Sequence, residues 1–91
     1  MAKWRVKKYR KKPVAVVALQ LTENNLAYVA KWCGADFGYT FGARAPDSLD
    51  VHTPEGTMAA YIGDFIIKDI KGDFYPCEPD IFAETYEEVQ E

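Results

Sequence analysis

The chain has 91 residues, 48% of them hydrophobic and 14% aromatic, with 14 acidic and 11 basic side chains and a net charge of −3. That length suits one domain over residues 1–91 with a modest core. The composition excludes a disordered chain, the lack of an apolar run near ~20 residues excludes a membrane-spanning helix, and a pI of about 5.1 argues against broad nucleic-acid binding.

In chain order, residues 3–9 alternate, with Trp4 and Val6 on one side and Arg5 and Lys7 on the other. This predicts a half-buried strand or an ordered arm. Pro13 interrupts it, because proline cannot donate to a ladder. Residues 14–19 are apolar on both faces and predict a central strand covered on each side. The stretch 14–21 is too short and too soon followed by polar residues for an export signal, so a soluble intracellular protein is expected. Thr22 then predicts a helix N-cap, and Leu21 and Leu26 sit at hydrophobic-staple spacing. Leu26, Val29, Ala30 and Cys33 form one apolar stripe, with Gly34 at the left-handed end. The helix is expected over about residues 23–33.

Residues 36–41 predict a weak strand and residues 42–47 a loop. Residues 49–53 and 57–62 predict a hairpin around Pro54-Glu55-Gly56. The stretch from Gly63 to Phe82 organises the rest. Two Gly-Asp dipeptides punctuate it, residues 65–70 are β-branched enough for a strand, and another strand follows. Pro79 and Asp80 open a short helix over about residues 79–85. The fold class is therefore α+β: a small, mostly antiparallel sheet of about five or six strands with one longer and one short helix.

The charge is polarised. Lys3, Arg5, Lys7, Lys8, Arg10, Lys11 and Lys12 form a basic segment without an acid, while Glu78, Asp80, Glu84, Glu87, Glu88 and Glu91 follow one another without a base. The two ends are suited to pairing across a sheet. Alternatively, the basic segment, with Trp4 and Tyr9 nearby, is suited to phosphate. The aromatics of Gly38-Tyr39-Thr40-Phe41-Gly42 either anchor a loop or line a pocket for a flat ligand; the segment matches no phosphate-loop pattern.

His52 has Asp50 and Glu55 nearby in sequence but no nucleophile, which makes no triad. Cys77 either packs at a strand end or acts as a nucleophile by the second helix, and Cys33 belongs to the helix stripe. Two cysteines without C-x-x-C spacing predict reduced thiols and no metal site. No cofactor motif is present.

Tyr9-Arg10-Lys11-Lys12-Pro13-Val14 and Gly72-Asp73-Phe74-Tyr75-Pro76-Cys77-Glu78-Pro79-Asp80-Ile81-Phe82 resemble a family of small phage and prophage proteins of unknown function. That family opens with R-K-K-P-V, carries a P-G-D-W or P-G-D-Y turn and closes with G-E-F-Y-P-C-x-P-D-I-F. This chain has Ile62 where the turn usually has Pro, Glu78 where Lys is common, and Leu21 where Trp would stand. The resemblance implies an accessory protein in the cytoplasm of a host bacterium and implies no catalytic residues.

The expected function is a non-enzymatic binding protein. It engages a host protein or sequesters a small anionic, nucleotide-like ligand, as a counter-defence factor would. Arg10, Lys11 and Lys12 would take phosphate, and Trp32 or Tyr39 would stack a base. The alternatives are a virion or assembly component acting as a homo-oligomer through exposed sheet edges, and an enzyme using Cys77 or His52.

Overall fold

The computed structural model describes residues 4–89. Lys3 and Glu91, at the outer ends of the two charged segments, lie outside them. The elements are β1 (Val17–Gln20), α1 (Leu26–Cys33), β2 (Asp36–Gly38), β3 (Ser48–Thr53), β4 (Gly56–Tyr61), β5 (Phe65–Lys68), β6 (Phe74–Cys77) and α2 (Pro79–Thr85). The α+β class holds, but the expected single sheet is two antiparallel sheets of three strands. Sheet A runs β1-β5-β6 and sheet B runs β2-β3-β4.

The division arises after β4. Gly63 adopts φ +101°, which glycine accepts without steric cost, and Asp64 caps the turn by accepting from the Tyr61 backbone N–H at 2.9 Å. Leu21 then captures the turn, donating to the Asp64 carbonyl and accepting from the Gly63 N–H, both at 2.8 Å. The chain leaving β4 is thereby handed to β1, and β5 pairs with β1 in the register Val17↔Lys68 to Gln20↔Phe65.

Three expectations about the first third are corrected. Residues 4–16 form no strand, and β1 is an edge of sheet A, not its centre. Val14 and Val17 remain about half exposed at 49% and 61%; an apolar run does not show how many neighbours a strand will have. The helix begins at Leu26, not near residue 23. The Asn25 side chain accepts from the Thr22 N–H at 2.8 Å and donates to the Gln20 carbonyl at 2.9 Å, tying residues 22–25 into a turn before the helix. The stripe itself is as expected: Val29, Ala30 and Cys33 are buried, Leu26 packs on them, and Gly34 ends the helix at φ +68°.

β3 and β4 form the expected hairpin. The Thr53 hydroxyl accepts from the Glu55 N–H at 3.1 Å and donates to the Gly56 carbonyl at 2.7 Å. β5 stops at Lys68 because the Asp69 side chain accepts from the N–H groups of Lys71 and Asp73 and closes a turn.

The core lies between the sheets, against α1. Leu21, Val29, Leu49, Val51, Ala60 and Ile66 make it, and Trp32 and Phe74 close its rim edge to face at 5.0 Å. Pairing places Phe65, Ile67, Tyr75 and Cys77 on the opposite, outer face of sheet A. α2 covers one end of that face, where Phe82 stacks on Phe65 with centroids 3.8 Å apart.

Candidate functional site

The other end of the outer face is an open cleft of about 530 Å³. Its floor is Ile67 and Tyr75 of sheet A, with Ile70 from the following turn. The base of the N-terminal arm forms one wall through Val14 and Val16 and carries Lys11 and Lys12 at the rim. Tyr86, just beyond α2, faces them, while Glu55 of the hairpin turn and Asp69 add carboxylates. The lining is thus largely apolar, with two cations, two anions and two phenols.

The field at the floor is negative. Tyr75 is held above the ordinary phenol range first by desolvation and then by the carboxylates of Glu55, Asp73 and Asp69. An anionic group entering this cleft is accordingly favoured at the Lys11–Lys12 end and opposed over Tyr75.

The five expected binding residues do not meet at one place. Lys11 and Lys12 line the cleft, whereas Arg10 is exposed further along the arm. Trp32 is half-buried at the rim of the core. Tyr39 is 62% exposed in the loop after β2, a loop held by Asp47. Asp47 accepts from the backbone N–H of Thr40 at 2.8 Å and also from its hydroxyl. These bonds, the hydroxyl's first, hold the Asp47 carboxyl below the usual carboxylate range. Gly38 serves packing, since a Cβ there would lie 2.5 Å from Ser48 Oγ.

Sequence reasoning missed Tyr75 and Tyr86 as cleft residues. Tyr75 was legible in part: in a strand that alternates, it takes the face opposite the core residue Phe74. Tyr86 becomes a cleft residue only because the Phe82–Phe65 stack seats α2 on this sheet.

His52 has a different partner from those expected. Its Nε2 lies 2.9 Å from Asp36 Oδ2 and its Nδ1 lies 3.2 Å from Thr57 Oγ1. Asp36 is opposite Asp50 in the β2–β3 register, so it reaches His52 diagonally, two residues on. An Asp–His–Thr line is the order of a base-activated hydroxyl. Here it lies on the outer face of sheet B, lines neither cleft, and leaves the His52 and Asp36 side chains 53% and 74% exposed. Exposed pairs of this kind contribute ~0–1 kcal/mol and hold strand register.

Cys77 lies at the end of β6 beside a smaller cleft that also includes Met58, Tyr61, Asp64 and Glu78. Burial first, then the carboxylates of Asp64, Asp80 and Glu78, push its thiol up. This opposes the thiolate that a nucleophile needs. His52 does not line that cleft. Among the described residues, no group of three His, Cys, Asp or Glu side chains is arranged to hold a metal ion, and no helix is long and apolar enough to cross a membrane.

Comparison of the chain with family models, curated proteins and solved structures gives no match.

Proposed function

We propose that the chain is a phage-encoded, non-enzymatic binding protein of the host cytoplasm that holds a small anionic ligand of nucleotide type in the cleft on sheet A. One observation carries this reading: Lys11 and Lys12 share with Tyr75 and Tyr86 a cleft of about 530 Å³, within the range of small-ligand sites. The lysines suit a phosphate and the phenol rings suit the face of a base. Glu55 and Asp69 suit amino or hydroxyl donors on the same ligand. Sequestration requires a pocket and stoichiometric protein but no chemistry, which agrees with the raised Cys77 thiol and the open setting of His52. The resemblance to small phage proteins supports the origin; a counter-defence role is the use such sequestration would have.

The test is a calorimetric and thermal-shift panel of mono-, di- and cyclic nucleotides. At least one should raise the melting temperature of the wild-type chain. The double variant Lys11→Glu/Lys12→Glu should abolish the shift, while Arg10→Glu, outside the cleft, should leave most of it. Absence of a shift with every nucleotide would remove the small-ligand reading and leave a host protein as the partner.

A further inference from the structure

We infer that the N-terminal arm of one copy docks into the smaller cleft of a second copy, between β4, the end of β6 and α2, so that two chains exchange arms reciprocally. This proposal is independent of the nucleotide reading and uses a different part of the arm.

The arm projects from the body. The radius of gyration is 16.9 Å and the long extent is 66 Å, against a radius of about 12 Å for a compact chain of this length. Trp4, Val6 and Tyr9 on this arm are 91%, 104% and 89% exposed. Trp4 and Val6 are two residues apart, so an arm that docks as an extended strand presents both on one side. Arg5, Lys7, Lys8 and Arg10 surround them with positive charge.

The complementary surface is on the body. The smaller cleft has a volume of about 160 Å³, room for about one large side chain, and β4 presents Met58 and Tyr61 to it, 44% and 53% exposed. Asp64 and Glu78 line it and Asp80 stands beside it. Among the described residues, Glu78 and Asp80 make no ion pair. An apolar slot with an acidic rim thus meets an apolar strip with a basic rim. The other exposed aromatic patch, Phe37, Tyr39 and Phe41, is a poorer match, because Asp36 beside it is already paired with His52. Arm-on-arm pairing would set like charges against each other. No residue of the arm lines this cleft in its own chain, and Trp4, Val6 and Tyr9 stand exposed away from it. A second copy therefore supplies the acceptor, and the reciprocal contact closes with two-fold symmetry.

Sedimentation velocity of the full chain at low salt should show a dimer that dissociates as salt rises. Trp4→Ala should weaken it roughly thirtyfold or more, the effect of losing one central aromatic anchor. The decisive test is a charge exchange. Lys7→Glu/Lys8→Glu and Glu78→Lys/Asp80→Lys should each be monomeric alone, and an equimolar mixture should form a heterodimer, since both contacts are then complementary. All these positions are exposed, so folding should be retained, with circular dichroism as the check. A monomer at every concentration, a dimer unaffected by Trp4→Ala, or two reversed variants that fail to combine would overturn the proposal.

Discussion

Leu49 shows what a single side chain contributes to this small body. It is fully buried where sheet B meets α1 and has no polar group to satisfy. Leu49→Ala should cost ~2–5 kcal/mol of unfolding free energy by urea titration, from lost transfer energy and the cavity left behind. Asp47 acts through its charge. Its folded carboxyl titrates below its unfolded value, so its bonds to Thr40 contribute stability above the ordinary carboxylate range. That contribution disappears as pH falls through the lowered value. The Thr40 amide signal should therefore titrate at lower pH than a free aspartate, and Asp47→Asn should remove the titration. For Cys77, burial and three nearby carboxylates disfavour the thiolate. Alkylation by iodoacetamide at neutral pH should be slower than that of free cysteine and should accelerate only well above the usual thiol range. Reaction faster than free cysteine would count directly against a binding-only protein.

At the scale of elements, the two helices are held by different means. α1 is bound by a buried stripe and ends on Gly34 at φ +68°, where an L side chain is strained. Gly34→Ala should destabilise by ~1 kcal/mol. α2 has no buried residue and depends on Phe82, whose ring lies between Phe65 and Tyr86 at 3.8 and 5.0 Å. Phe82→Ala should release α2 and Tyr86 from sheet A while leaving the core intact. The expected result is lost amide protection confined to residues 82–86, with destabilisation of about 2 kcal/mol or less, below the cost of truncating a fully buried Phe.

For the whole molecule, the two sheets share one core: Leu21 leaves β1, Leu49, Val51 and Ala60 come from sheet B, Ile66 from sheet A, and α1 seals them. Neither sheet buries enough on its own, so unfolding should be one cooperative event. Far-ultraviolet circular dichroism and the fluorescence of Trp32, on the core rim, should give coincident urea transitions. A separate early transition in either signal would mean that the sheets are independent units.

Local chemistry decided much of this architecture. The α1 stripe, the hairpin at Pro54-Glu55, the turn around Gly72 and the proline-opened α2 are each readable in the chain, because a few neighbouring side chains and backbone groups determine each; the end of β5 at Lys68 is not, since the β-branched run predicts a strand to residue 70. The partition into two sheets was not readable. It depends on Leu21 bonding to Gly63 and Asp64 across more than forty positions of chain, and no periodicity reports a contact at that distance. The cleft was half legible for the same reason. A run of lysines announces a place for negative charge, but only the packing of β5, β6 and α2 decides that Tyr75 and Tyr86, rather than Trp32 and Tyr39, stand beside it.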